Sequence, residues 1–186
     1  MNPVTIFDST LRDGAQGTGI SFSLEDKLAA VRLLDQVGIQ YVEAGNPGSN
    51  PKDQEFFHRA AGLSLRHAQL VSFGSTRRKN SLPQEDANLA AILAADTACC
   101  SIFGKCSKFH VDHVLETSYE ENFRMIEESC RFLKDHGRTV FFDAEHFFDG
   151  WKEDEEFAWE ALKAAAPSLG RRKRLWGKWC GESLCR

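Results

Sequence analysis

Val4-Thr5-Ile6-Phe7-Asp8-Ser9-Thr10-Leu11-Arg12-Asp13-Gly14 is the stretch that decides the fold. A short β-branched and aromatic run, Val4–Phe7, gives way to polar and charged residues. Continuous apolar runs of this kind suit strands of a parallel sheet, buried on both faces. The dinucleotide fingerprint G-x-G-x-x-G does not follow the run, and no P-loop occurs anywhere in the chain. Arg12 and Asp13 stand there instead. Adjacent residues of an extended strand point opposite ways, so these two share one site only if the chain turns at the strand end.

The same pattern recurs along the chain. Further runs lie at Ile39–Ala44, Gln69–Phe73, Ala98–Phe103 and Thr139–Asp143, with strand starts about 30–40 residues apart. Helical patterns fill the gaps. Ser23 and Asp26 form a capping-box start for a helix whose apolar face is Leu24, Leu28, Val31 and Leu34, and Gly38 closes it. Asn50-Pro51 caps a second helix. Pro83 opens a third, with Leu89, Ile92 and Leu93 inward. Ser118 and Glu121 form another capping box ahead of Tyr119, Phe123, Ile126, Cys130 and Leu133, and Gly137 ends that helix. Phe157, Ala161 and Leu162 mark a fifth, stopped by Pro167.

Five βα units imply an α/β fold with a parallel sheet and right-handed crossovers. An open doubly wound sheet and a shortened (β/α)8 barrel compete. A barrel carries its site at the C-terminal ends of its strands. Polar residues stand there: Arg12 and Asp13, Glu43, Gly74-Ser75-Thr76-Arg77, Gly104-Lys105, and Asp143 with Glu145.

Composition narrows the class. Hydrophobic residues make 42% and charged residues 27% of 186, the balance of a globular chain rather than a disordered one. No apolar run approaches the ~20 residues of a membrane-spanning helix. The N-terminus has neither a basic nor an apolar leader region, so a cytoplasmic protein with six reduced cysteines is expected. Residues 171–186 carry six basic residues and one acidic, so a net charge of −4 leaves −9 on residues 1–170. The expected organisation is a partial barrel over 1–170 and a divergent basic tail over 171–186. The jump in composition fits a shifted reading frame or unrelated terminal sequence better than a sixth strand.

Asp8–Gly14 resembles the signature of the metal-dependent acyl-CoA condensing enzymes and lyases, the isopropylmalate, homocitrate and citramalate synthase family. Tyr41-Val42-Glu43-Ala44-Gly45 resembles that family's second strand. Val71–Arg78, Phe103-Gly104-Lys105 and Phe141–Gly150 look most like its citramalate branch. The resemblance covers about residues 3–166 and implies a (β/α)8 barrel. It implies condensation of acetyl-CoA with a 2-oxo acid, pyruvate on the citramalate branch, followed by thioester hydrolysis. That chemistry belongs to isoleucine and leucine biosynthesis. The resemblance also implies a divalent metal, Mg or Mn with Zn as a further option, and a homodimer in the full-length family. It assigns Asp13 to the metal, Arg12, Glu43 and Glu145 to catalysis, and Arg12, Gln16, Ser75 and Thr76 to substrate.

The residue types suit those roles. A hard cation takes oxygen ligands and polarises a carbonyl, and Asp13 offers a carboxylate. The fork-shaped, always charged guanidinium of Arg12 suits an oxyanion or carboxylate. Glu43 is placed to accept from Arg12 or to orient metal-bound water. Asp143 and His146 compete with Glu145 for the inward position.

The chain also departs from the family. It has no His-x-His pair for the remaining metal ligands, and Cys106-Ser107 replaces an expected Ser-Trp. Five strands of eight leave the first and fifth with open edges, so the expectation is a chain inactive on its own. Two further classes stay open. One is a non-catalytic fragment that self-associates through those edges. The other is a nucleic-acid binder using Arg171–Arg174, which the acidic body disfavours. Cys99, Cys100, Cys106, His110 and His113 lack zinc-site spacing and read as structural residues.

Overall fold

The computed structural model describes residues 4–168 and 175–176. Strands and helices alternate: β1 (Phe7–Asp8), α1 (Leu24–Val37), β2 (Tyr41–Gly45), α2 (Pro51–Ala60), β3 (Gln69–Ser75), α3 (Ala87–Ala94) and β4 (Cys99–Lys105) come first. Then follow α4 (Lys108–His110), α5 (Tyr119–Asp135), β5 (Thr139–Glu145), α6 (Phe147–Glu153), α7 (Glu155–Ala165) and β6 (Leu175–Trp176). The strands are ordered β1-β2-β3-β4-β5-β6, each beside its predecessor in the chain. Sequential order with a helix in each crossover is the topology of the first units of a (β/α)8 barrel, as expected.

Two compact units make up the chain. The first comprises Met1–Gly74 and Ala87–Ser101, the second Ser75–Asp86 and Ile102–Arg186.

In the first unit β1 pairs parallel with β2 through Phe7↔Tyr41 and Asp8↔Val42. The β2–β3 ladder runs from Tyr41↔Gln69 to Glu43↔Val71, then shifts register before Gly45↔Ser72. Asp53 causes the tight geometry at Gly45: a Cβ there would lie 2.5 Å from the Asp53 carboxyl carbon. The core gathers Leu11, Leu28, Val31, Val42, Phe56 and Phe57. α1 has both halves of its capping box, with Ser23 accepting from Asp26 N and the Asp26 side chain accepting from Ser23 N, and it ends on Gly38 at φ 90°. Asn50 caps α2 by accepting from Lys52 N.

In the second unit α5 packs against β5 and α7, and Ile102, Ile126, Leu133 and Phe142 are fully buried. Ser118 caps α5, but only half of the expected box forms. The Glu121 side chain turns instead to Arg77 at 2.7 Å. α6 runs so close to β4's exit that a Cβ on Gly150 would lie 1.9 Å from the Cys106 carbonyl oxygen.

Several expectations need correcting. The first strand is Phe7–Asp8 rather than Val4–Phe7, because Val4 and Ile6 lie exposed beyond the β2 ladder. β3, β4 and β5 run two residues past their apolar runs, since Ser75, Lys105 and Glu145 keep the extended backbone. Pro83 opens a short 3-10 turn, and α3 begins only at Ala87. A sixth strand was not expected, nor was a paired edge on β5. Leu175 and Trp176 nonetheless pair parallel with Phe142 and Asp143. Two residues of extended backbone cover that part of the edge whatever the charge around them. The rest of the tail, including Arg171–Arg174, Cys180 and Cys185, lies outside the described residues.

Candidate functional site

The chain leaves β1 in a tight turn. Ser9 O accepts from the backbone N–H groups of Arg12, Asp13 and Gly14 at 3.2, 2.8 and 3.1 Å. Asp8 anchors its start by accepting from Thr10 N and Thr10 Oγ1, both at 3.0 Å. The turn brings the adjacent side chains of Arg12 and Asp13 together, with Arg12 Nη1 donating to Asp13 Oδ1 at 3.1 Å.

Glu43, from β2, is 1% exposed. Its Oε2 accepts from Ser9 Oγ and from Arg12 Nε, each at 2.7 Å, and lies 2.6 Å from Arg12 Nη2. The guanidinium carbon sits 3.7 Å from the centre of the Phe73 ring, a cation–π contact strengthened by burial. Arg12 is thus held in the plane by two carboxylates and from one face by an aromatic ring. Three of its nitrogens face carboxylate oxygens, leaving about two of a guanidinium's five N–H donors for a ligand.

A cleft of about 290 Å³ opens beside this cluster, lined by Arg12, Gln16, Ile20, Asn46 and Phe73 among others. Lys27 and Asp53 form part of its wall as a buried ion pair at 2.5 Å. Lys27 Nζ also donates to Ala44 O at 2.8 Å, and Asp53 Oδ2 accepts from Asn46 N at 2.8 Å. Sequence reasoning named Arg12, Asp13, Gln16 and Glu43 but missed Ser9 and Phe73. Both lie inside motifs that were quoted, and only the fold reveals what they touch.

The remaining predicted residues belong to the second unit. Ser75 and Thr76 line a separate cleft of about 250 Å³ with Phe103, Lys105, Leu115 and Met125, and Thr76 N donates to Phe103 O at 3.1 Å. The next residue, Arg77, is 4% exposed. It donates to Glu121 and Glu128, each at 2.7 Å, and fixes the backbone beside Thr76. Glu145 is ion-paired with Lys105, a partner sequence reasoning did not assign. Asp143 is buried, and His146 stacks on His110 with ring centres 4.1 Å apart. Burial holds the His110 imidazole below its usual range, His146 and Lys105 lower it further, and Glu145 and Glu153 oppose them. Burial, then Asp143 and Glu145, push the Cys106 thiol up.

The expected divalent metal needs more donors than the described residues bring together. Asp13 supplies one carboxylate, already facing Arg12. Among the described residues no three His, Cys, Asp or Glu side chains gather around a common point. A hard divalent cation takes about six oxygen ligands, so the donor set does not fit one on its own. Cys99, Cys100, Cys106 and Cys130 are buried free thiols. No helix among the described residues is long and apolar enough to cross a membrane.

The chain is 48% identical over 162 residues to the (R)-citramalate synthases of Sulfolobus acidocaldarius and Aquifex aeolicus, covering 87% of this chain and 31% of each relative. The Geobacter sulfurreducens (R)-citramalate synthase is 47% identical over 165 residues, 89% of this chain and 31% of that one. The chain therefore spans about a third of the length of these curated relatives. Its fold superimposes on Bacillus subtilis HMG-CoA lyase with a TM-score of 0.69 at 17% identity, over 90% of this chain and 56% of that one. The fold is accordingly a truncated (β/α)8 barrel. A family model described as HMGL-like matches residues 3–170, and the chain belongs to that family.

Proposed function

We propose that this chain is the portion of a citramalate-synthase-type condensing enzyme that supplies the oxyanion-binding arginine. The reaction removes a proton from the acetyl methyl of acetyl-CoA and joins that carbon to the keto carbon of pyruvate. The carbonyl electron pair moves onto the keto oxygen, which takes up a proton. Water then cleaves the thioester, giving citramalate and free CoA.

Arg12 faces the keto oxygen as its charge develops, and preorganised donors of this kind carry much of the catalytic effect. Glu43, Ser9 and Phe73 hold Arg12 still. Gln16 lines the same cleft and contacts the oxo acid. In the second unit Glu145 acts as acid/base with Lys105 as its partner, while Ser75 and Thr76 contact substrate. Asp13 remains the carboxylate offered to a divalent metal. No step above runs through a metal, because the described residues do not complete its ligand set. The 186-residue chain alone is accordingly inactive, and in the cell the reaction is cytoplasmic.

The observation that carries this reading is Arg12 fixed by Glu43 and Phe73 beside a cleft. Free CoA released from acetyl-CoA, followed by thiol titration, tests it. The chain alone, with Mg2+ or Mn2+ and pyruvate, releases none above the blank. A chimera with residues 3–166 in place of the matched segment of the Aquifex synthase releases CoA with pyruvate, and Arg12→Lys lowers kcat at least ~100-fold. A folded chimera that prefers 2-oxoisovalerate or 2-oxoglutarate transfers the chain to the isopropylmalate or homocitrate reading. Turnover by the chain alone overturns the claim of inactivity.

A further inference from the structure

In the second unit α6 and α7 meet across a single residue. Asp154 ends α6 and caps α7, its Oδ1 accepting from Phe157 N at 2.9 Å. Its Oδ2 accepts from Lys108 Nζ at 2.5 Å, so the corner between the two helices is fixed. The inward face of α7 is Phe157, Ala158, Ala161 and Ala165, all buried. Trp159 lies outside that stripe and is 46% exposed. Its ring stands at 88° to that of Trp151 in α6, with ring centres 6.4 Å apart. Phe147 steadies Trp151 in turn, 5.6 Å away. The two indoles, with Glu155 and Glu156 of α7's first turn, line a cleft of about 420 Å³.

Two indoles at right angles make the corner of a cage. Of the aromatic side chains, tryptophan attracts a cation to its face most strongly. Helical spacing sets Glu155 and Glu156 one turn before Trp159 on the same side, so the cleft joins aromatic surface to two negative charges. The chain's own Lys163, one turn after Trp159, already brings its ammonium to 5.8 Å from that ring's centre while donating to Glu160 at 2.7 Å. We propose that the Trp151–Trp159 corner binds a cationic trimethylammonium group, as carried by choline or by a methylated lysine side chain. Such a group has no N–H to satisfy, and its methyls pack on the indoles while its charge faces them. A primary ammonium is strongly hydrated and loses more on leaving water. Glu155 and Glu156 balance the charge from the rim and disfavour a zwitterion of the same shape. None of these four residues belongs to the condensing site, so the inference stands apart from that reading.

The indole N–H signals of the full 186-residue chain, isotope-labelled for NMR, read the site. Choline chloride, with ionic strength held constant by sodium chloride, shifts the Trp151 and Trp159 signals saturably. Dimethylbutanol, the uncharged carbon isostere of choline, binds about tenfold more weakly. Glu155→Gln with Glu156→Gln weakens choline binding severalfold, and Trp159→Ala removes the response. Both glutamates are exposed, so circular dichroism of the glutamine pair matches the parent, and that variant decides the matter if Trp159→Ala does not fold. A short trimethyllysine peptide that binds more tightly than choline supports the proposal and assigns the site to a modified polypeptide. Choline binding at least as tightly supports it and assigns the site to the free small molecule. Equal binding of dimethylbutanol would mean apolar surface only and overturns the proposal. Choline shifts that are absent, or that persist unchanged in the variants, also overturn it.

Discussion

Glu43 carries the first unit's site on one oxygen. Replacing it with Ala leaves the Arg12 guanidinium, 11% exposed, facing a space where its main carboxylate stood. Breaking a buried pair from one side costs about 3–5 kcal/mol, and urea unfolding of Glu43→Ala is expected to read a loss of that order. Asp13, a third exposed, tolerates Asn at a cost of less than ~1 kcal/mol. Equal losses for the two would contradict the arrangement. His110 gives the pH dependence. Its folded imidazole titrates below the ordinary value, mainly through burial, so the unfolded chain takes up the proton first. Stability is full above about pH 6.5 and is lost as the pH falls below that value. Unfolding free energy at about pH 5 should therefore lie below that at about pH 7.5, and His110→Gln should flatten the difference. Arg12, Asp13 and Glu43 stood out in the sequence through the Asp8–Gly14 motif and the later family-like strand, because charge at a strand end alone makes ordinary salt bridges as well. Phe73 and Ser9 did not, because a core aromatic and a turn serine look the same whether or not an arginine leans on them.

Elements are joined by fewer groups than their lengths suggest. Asp35, in the last turn of α1, accepts from the backbone N–H groups of Arg66, His67 and Ala68 at 3.0, 2.7 and 2.8 Å. It clamps the segment leading into β3, and those bonds, Ala68's foremost, hold its carboxyl below the usual range. The stability it gives is present above about pH 4 and lost as the pH drops through its lower folded value. Asp35→Asn should lower Tm near neutral pH, with the gap to the parent closing in strong acid. A constant gap across the range would show that the charge is not what clamps. Helix starts were well legible, since Ser23, Asn50 and Ser118 each cap the helix expected of them. Strand ends were not. Apolar content marks where a strand is buried, whereas Ser75, Lys105 and Glu145 extend β3 to β5 as polar residues. The Val111–Leu115 π-turn after α4 and the whole of α6 also escaped notice, because five and seven residues are too few for their apolar spacing to stand out.

At the scale of the molecule, alternation implied a parallel sheet, while the polar strand ends and the family resemblance favoured the barrel over a doubly wound sheet. The tail was read by its charge, which hid the Leu175–Trp176 pair. Deleting residues 171–186 removes β6 and reopens the edge of β5. Each lost backbone hydrogen bond is worth about 1 kcal/mol, so Tm should move little while light scattering rises with concentration through edge pairing. A large fall in Tm without aggregation would mean that the tail supports the core instead. The strictly sequential strand order has one more consequence, and it concerns synthesis. Every strand finds its partner already made, so the sheet can be laid down vectorially as the chain leaves the ribosome. Contacts then stay short-range in sequence, and folding need not wait for the last residue. Leu33 and Val37 stand apart from this economy. They belong to the first helix translated and stay exposed among the described residues, so a nascent-chain chaperone meets two large apolar side chains on a helix that is otherwise already packed.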